Sequence, residues 1–295
     1  MAHQQADLEP VLIMVPGVGG GQAEPRFHQA DPARAQLLVT DLVATRGEGV
    51  FETLGVFDGV AMNVGPHLQR LARSAAMIDL PAPDLDLLAS ALDAAIAAHT
   101  AVPELTARIM MTRGVEGTDA PTAWIHARTA EDYSAARRGM RVVMLDRGVP
   151  TTVAGTSPWL LAGAKTLSYA GNLAALREAR RRDAEDVLYV SSDGWCLEGP
   201  TSTLLVRRGN TFTTTPTEAG VLPGTTVDTV FTALEQDGHA TSRELMRPQD
   251  VLDSDGAWLL SSGRLAAPIT RLDDRELPVD AELTARMNAA ASGRG

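Results

Sequence analysis

Apolar residues recur along this chain in two rhythms. At Leu68, Leu71, Ala75 and Ile78 the spacing is that of one helix face, which predicts a helix over His67–Ile78. The Ala/Leu-rich stretch Asp84–His99 repeats that rhythm. Four shorter stretches read as strands: Gln36–Asp41, Val50–Val56, Thr106–Thr112 and Ala123–Ala127. Asp58-Gly59, just after the second of them, is a hairpin signal, because both residues tolerate positive φ. Hairpin strands mixed with helices predict an α+β domain over residues 36–147. Residues 1–35, rich in Gly, Pro and Gln, read as a flexible arm.

A shift in composition at Arg147–Thr156 marks an interdomain linker, set at residues 148–156. A larger domain, 157–295, follows. It opens with a helix over Ser168–Arg182, whose closing arginine cluster complements the negative end of the helix dipole. Val187–Ser191 and Trp195–Leu197 read as strands around Ser192-Asp193-Gly194, and Thr203–Arg207 and Thr211–Thr215 pair around Gly209-Asn210. "LPGTT" leads into a helix ending near Gln236, Ala257–Leu260 is a strand running into Ser261-Ser262-Gly263, and Ala281–Ala290 is a terminal helix. The fold class is therefore α/β, an α+β domain followed by a larger α/β one.

Composition narrows the function. With 295 residues, 44% hydrophobic and 21% charged, the chain has the make-up of a soluble globular protein. Its formal charge of −11 argues against a nucleic-acid partner. No apolar run approaches a membrane span, and the N-terminus lacks the basic region of a signal peptide, so no membrane is expected. A lone cysteine, Cys196, leaves no internal disulfide and fits a cytoplasmic location. "VLIMVPGVGGGQ" fails as a dinucleotide-binding turn, because Gln22 stands where the third glycine belongs and Pro25 follows. The histidines at 3, 28, 67, 99, 126 and 239 show neither metal spacing nor an acidic partner at i+1 or i+4, so no metal is expected and each reads as a surface or packing residue.

Of 26 basic residues, 25 are arginine and one is Lys165, in the apolar, Gly-containing run "LLAGAKTLSYAGN". Arginine replaces lysine as a surface charge but never as an amine nucleophile, since its guanidinium stays protonated. A lysine kept in such a setting is a candidate Schiff-base residue; the plainer alternative is one structural lysine. Pyridoxal phosphate chemistry also needs an acid facing the pyridine nitrogen and a phosphate cup. Glu198, at a strand end before Gly199-Pro200, is the candidate acid. Gly224, Thr225 and Thr226, at a helix start, and the Ser262-Gly263 turn are candidate floors of the cup.

Taken in order, "GEGVFET" (47–53), "HLQRL" (67–71), "AKTLSYAGN" (164–172), "DVLYVSSDGWCLEG" (186–199), "GVLPGTT" (220–226) and "LLSSGRLAAPIT" (259–270) resemble the class IV aminotransferase family, the fold-type IV pyridoxal phosphate enzymes. The resemblance implies a second domain built as an α/β pseudo-barrel. It also implies that Lys165 carries pyridoxal 5'-phosphate as an internal aldimine and acts as the catalytic base, and that Glu198 bonds the ring nitrogen. Arg70, Thr225, Thr226 and Ser262 would contact the phosphate beside Gly224, Leu222 would lie against the ring, and Tyr169 would stand near the cofactor. Where the family usually has Asn after the glutamate loop, this chain has Thr203. A homodimer is the family expectation.

The reaction is less legible. Branched-chain aminotransferases carry Tyr-x-Arg where this chain has Thr106-Ala107-Arg108, and the Arg-x-His of D-amino acid transaminases is replaced by Thr118 and Ala120. Arg108 is the expected carboxylate anchor, with the Gly263 amide opposite and Phe51 lining the pocket. The expected activity is a transaminase, D-amino acid-like with relaxed specificity, passing an amino group from an amino acid to a 2-keto acid. A 4-amino-4-deoxychorismate lyase is the alternative, and a branched-chain L-amino acid aminotransferase the second.

Overall fold

The computed structural model describes residues 9–20 and 25–294. In chain order its elements are β1 (Val11–Met14), β2 (His28–Ala30), α1 (Leu42–Arg46), β3 (Gly49–Phe57), β4 (Val60–Ala61), α2 (Val64–Met77), α3 (Leu85–Ala98), β5 (Glu104–Thr112), β6 (Thr122–Thr129), α4 (Ser134–Arg138), β7 (Met140–Asp146), α5 (Val153–Thr156), α6 (Ala170–Arg181) and β8 (Asp186–Val190). They continue as β9 (Thr203–Arg208), β10 (Thr211–Thr214), α7 (Thr225–Gln236), β11 (Ala240–Arg243), α8 (Pro248–Leu252), β12 (Gly256–Ser261), β13 (Leu265–Leu272), β14 (Arg275–Glu276) and α9 (Ala281–Ser292). The chain divides into two compact units, one of residues 1–131 with 165–168, the other of 132–164 with 169–295.

In the first unit, the described strands form a six-stranded antiparallel sheet in the order β2-β1-β6-β5-β3-β4. Alternation along the strands sends Val50, Leu54, Val56, Ala107, Ile109 and Ile125 to one face, where they are buried under Leu68, Leu71 and Ala75 of α2 and Leu88, Ala91 and Leu92 of α3. The expected helix faces are those that pack. Asp58 and Gly59 take φ of 50° and 83°, which closes the β3–β4 hairpin as anticipated. The opposite face of the sheet presents Phe51 and Thr53 of β3, Arg108 and Met110 of β5, and Trp124 and His126 of β6, by the cross-strand register.

Three expectations are corrected. The described part of the arm is not loose: Val11–Met14 pairs with β6 and with His28–Ala30, because four consecutive apolar residues find an open sheet edge. Residues 1–8 and 21–24 of that arm lie outside the described residues. Gln36–Asp41 is not a strand. Leu38 and Val39 are exposed there, and Asp41 instead caps α1, its Oδ1 accepting from Val43 N at 2.9 Å. The change of unit falls at 131/132, not in a linker at 148–156, because Met140–Asp146 runs parallel to β8 and β13 within the second unit.

The second unit holds a mixed eight-stranded sheet, β11-β10-β9-β12-β13-β7-β8 with β14 beside β13. One cluster gathers Val142, Leu188, Cys196, Leu204 and Leu259, and another packs Ala179 of α6 against Val187, Tyr189 and Leu197. Trp258 is fully buried, and its indole N–H donates to Thr284 of α9 at 2.8 Å. Trp195–Leu197 pairs with the end of β8, Ser191 N donating to Trp195 O and Leu197 N to Tyr189 O, both at 2.8 Å, around a bridge of Cys196 to Val190, but does not extend into a full strand. Mixed parallel and antiparallel pairing under two layers of apolar packing is the α/β character expected of this half.

Candidate active site

Lys165 belongs to the first unit by its backbone. Phe51 N donates to Lys165 O at 3.0 Å, Leu167 N to Gly49 O at 2.8 Å, and Thr166 bridges Val50, so residues 165–167 run as a short strip along β3. Lys165 N also donates to Ser74 Oγ of α2 at 3.1 Å. The half-buried side chain is thereby aimed at one place, with Nζ 4.6 Å from the centre of the Phe51 ring. A cation over an aromatic face is held in direction without being neutralised.

Next to Phe51 on β3, Glu52 points the other way, under α2, and is fully buried. Arg70 Nε donates to its Oε1 and Arg70 Nη2 to its Oε2, both at 2.7 Å, a bidentate fork. His67 Nδ1 lies 2.7 Å from Oε2. Burial pushes the Glu52 carboxyl up, but the bonds from Arg70 and His67 outweigh it, with a lesser pull from the Lys165 charge, and hold it at about 2. Burial lowers His67, so the ring is neutral near neutral pH and Nδ1–H is the donor to the carboxylate. The partnership was invisible in the sequence, because His67 and Glu52 are fifteen residues apart. The signal available was Glu52 itself, a carboxylate between Val50 and Leu54 on the apolar face of a strand.

Of the other residues expected in this unit, Arg70 is thus committed through two nitrogens to Glu52, one turn of helix from His67. Arg108 is exposed, on the same sheet face as Phe51 and directly across from Thr53.

The second unit brings together most of the rest. Glu198 follows the Tyr189–Leu197 ladder, and both its carboxylate oxygens accept from Leu222 N at 3.2 Å, joining two residues expected at the cofactor ring. Tyr169, just before α6, donates to Pro200 O at 2.9 Å, and Asn172 donates to the same oxygen at 2.8 Å, pinning the turn after Glu198. At the start of α7, Gly224 is the N-cap and offers no side chain to the first amides. A Cβ there would lie 2.5 Å from Thr203 Oγ1, so only glycine fits against that threonine. Thr225 and Thr226 are buried, and Thr226 Oγ1 lies 3.5 Å from Ser262 Oγ. A helix start without a side-chain cap, flanked by hydroxyls, suits an anion. Burial pushes the Cys196 thiol up to about 12, which leaves it inert as a nucleophile.

Comparison with known proteins shows the family. The family model described as amino-transferase class IV matches residues 49–272. A bifunctional aminodeoxychorismate lyase / D-amino acid transaminase of Mycobacterium tuberculosis is 43% identical over 258 residues, covering 84% of this chain and 89% of that one. A fold IV-transaminase from Curtobacterium pusillum superposes with a TM-score of 0.94 at 46% identity, over 97% of this chain and 98% of its own. A hypothetical aminotransferase from Mycobacterium tuberculosis, in PLP-bound form, gives a TM-score of 0.89 at 39% identity, over 97% and 100%.

Proposed function

Because the chain belongs to the class IV aminotransferase family, whose members use pyridoxal phosphate, we propose that it is a transaminase that holds this cofactor on Lys165 and moves an amino group from an amino acid, D-amino acid-like with relaxed specificity, to a 2-keto acid. The observation that carries the reading is Lys165, the only lysine in 295 residues, tied through backbone bonds on both sides with its amine directed at Phe51.

The residues present fit the group. The uncapped start of α7, with Gly224 pressed on Thr203 and the Thr226–Ser262 hydroxyl pair beside it, suits a phosphate. When bound, pyridoxal phosphate supplies a carbonyl that condenses with amines and a ring that takes up electrons released at a substrate carbon. Lys165 then serves twice, as the amine that seats the cofactor and as the base that holds and returns the proton at the substrate α-carbon. Glu198, held by the Leu222 amide, would face the ring nitrogen. Thr225, Thr226 and Ser262 would bind the phosphate; Arg70, whose guanidinium plane Glu52 fixes, is the further residue that the family resemblance assigns to that group. Tyr169 would stand by the ring; Phe51 and Arg108, on one face of the first sheet, are the expected substrate contacts there, and the Gly263 amide is the one expected from the second unit.

A 4-amino-4-deoxychorismate lyase activity is the second reading, favoured by the 43% identical relative, whose name carries both activities. The two divide on products: keto acid plus a new amino acid for the transaminase, 4-aminobenzoate plus pyruvate for the lyase. The deciding experiment incubates the holoprotein with D-alanine and 2-oxoglutarate, with L-leucine and 2-oxoglutarate, and with aminodeoxychorismate alone. Borohydride treatment should fix the cofactor on wild-type protein but not on Lys165→Arg, which keeps the charge and loses the amine. A Lys165→Arg protein turning over at the wild-type rate would end the proposal. The same reading expects a homodimer, which light scattering checks.

A further inference from the structure

The turn carrying Ser262 and Gly263 is built under strain. Ser261 and Leu265 pair across β12 and β13, leaving Ser262, Gly263 and Arg264 as a three-residue loop. Leu265, buried at 3% exposure, has φ of +67°, a left-handed conformation in which the Cβ of a leucine crowds its own backbone. Such a residue persists only where its surroundings over-determine it, and those places cluster at ligand sites.

Three groups hold this one. Arg137 of α4 donates from Nε to Arg264 O at 3.0 Å and from Nη2 to Gly263 O at 3.1 Å. The Arg264 guanidinium pairs with the buried Asp186 at 2.8 Å. Asn288 of α9 takes both the N–H and the C=O of Ala266, at 2.7 and 3.1 Å. The helix that carries Arg137 lies close on β13, since α4 ends at Gly139, where a Cβ would lie 2.2 Å from Thr270 Cγ2 of that strand.

We propose that Arg137 is a positioning residue for the phosphate cradle. By tying the carbonyls of Gly263 and Arg264 it keeps the strained turn in the one arrangement that sets Ser262 beside Thr226 at the head of α7. The inference rests on the reading that Ser262 and Thr226 meet a phosphomonoester. It assigns Arg137 no contact with that group; its effect passes through the turn. Removing it frees two carbonyls on one side, the turn relaxes at Leu265, and the hydroxyl drifts from its place.

The test separates phosphate recognition from general stability. Full-length protein stripped of cofactor is titrated with pyridoxal phosphate and with pyridoxal, which lacks the phosphate, following the absorbance of the bound aldehyde. Arg137→Met should bind pyridoxal phosphate roughly ten- to a hundredfold more weakly, the loss of the displaced Ser262 hydroxyl's bond to a charged phosphate. Its affinity for pyridoxal should change less than about twofold, since that ligand never engages the cradle. Arg137→Lys, able to reach one carbonyl, should show a smaller selective loss of about three- to tenfold; it carries the test alone if the Met variant does not fold. Unchanged affinity for pyridoxal phosphate, or an equal loss for both ligands, overturns the inference. Wild-type protein that does not prefer the phosphorylated ligand sinks the cradle reading and this inference together. A wild-type preference that survives in both variants sinks only the role of Arg137.

Discussion

Glu52→Gln is the perturbation whose magnitude follows most directly from the geometry. The side chain is fully buried and accepts two 2.7 Å bonds from Arg70 and one from His67. An amide of the same shape keeps the volume but removes the charge, and turns one acceptor into a donor facing a guanidinium or an imidazole N–H. The Arg70 charge, 5% exposed, is left without its counter-ion. Removing one partner of a buried pair costs about 3–5 kcal/mol. An independent route gives a similar figure: holding the carboxyl at about 2 against an ordinary 4.5 corresponds to about 3 kcal/mol in favour of the folded state near neutrality. Because the folded-state value is depressed, that contribution is complete above 4.5 and fades as pH falls toward 2. At about pH 3 the unfolded carboxyl is protonated while the folded one still ionises, so about 2 kcal/mol of it is gone. His67 adds to the trend, since burial lowers its value and acid therefore favours the unfolded chain. Urea unfolding of wild type and Glu52→Gln, at about pH 7 and about pH 3, reads both quantities. The gap between the two proteins should be about 3–5 kcal/mol at the higher pH and shrink by about 2 at the lower. A Glu52→Gln protein as stable as wild type at neutrality would refute the buried pair as a stabilising element.

Two further perturbations address chemistry. Glu198→Gln should leave unfolding and cofactor binding close to wild type, and slow deprotonation of the substrate by orders of magnitude, since the ring nitrogen loses its counter-charge; a change in turnover of less than about threefold, about 0.7 kcal/mol, removes Glu198 from that role. Arg108→Met should lower kcat/KM for an amino acid about ten- to a hundredfold, the loss of one charged hydrogen bond of about 1.5–3 kcal/mol, while an amine without a carboxylate is spared. Equal losses for the two substrates return Arg108, an exposed strand residue, to a surface role.

What the sequence determined by itself was local or chemical. Periodicity located α2 and α3, because one buried face of a helix repeats every three or four residues however the chain folds. Asp58-Gly59 announced its hairpin because the turn type depends on those two residues alone. Lys165 stood out through chemistry, since arginine replaces lysine everywhere except as an amine. The tertiary structure decided whatever depends on a distant partner. Val11–Met14 becomes a strand only because β6 offers it an edge, and Met140–Asp146 joins the second unit through β8 and β13. His67 is set against Glu52 by a helix crossing over a strand, which no spacing rule reaches. Arg137 finds two carbonyls more than a hundred residues ahead because α4 is pressed against β13. A side chain's charge and reach are written in the sequence, but its partner is set by which backbones come to lie side by side.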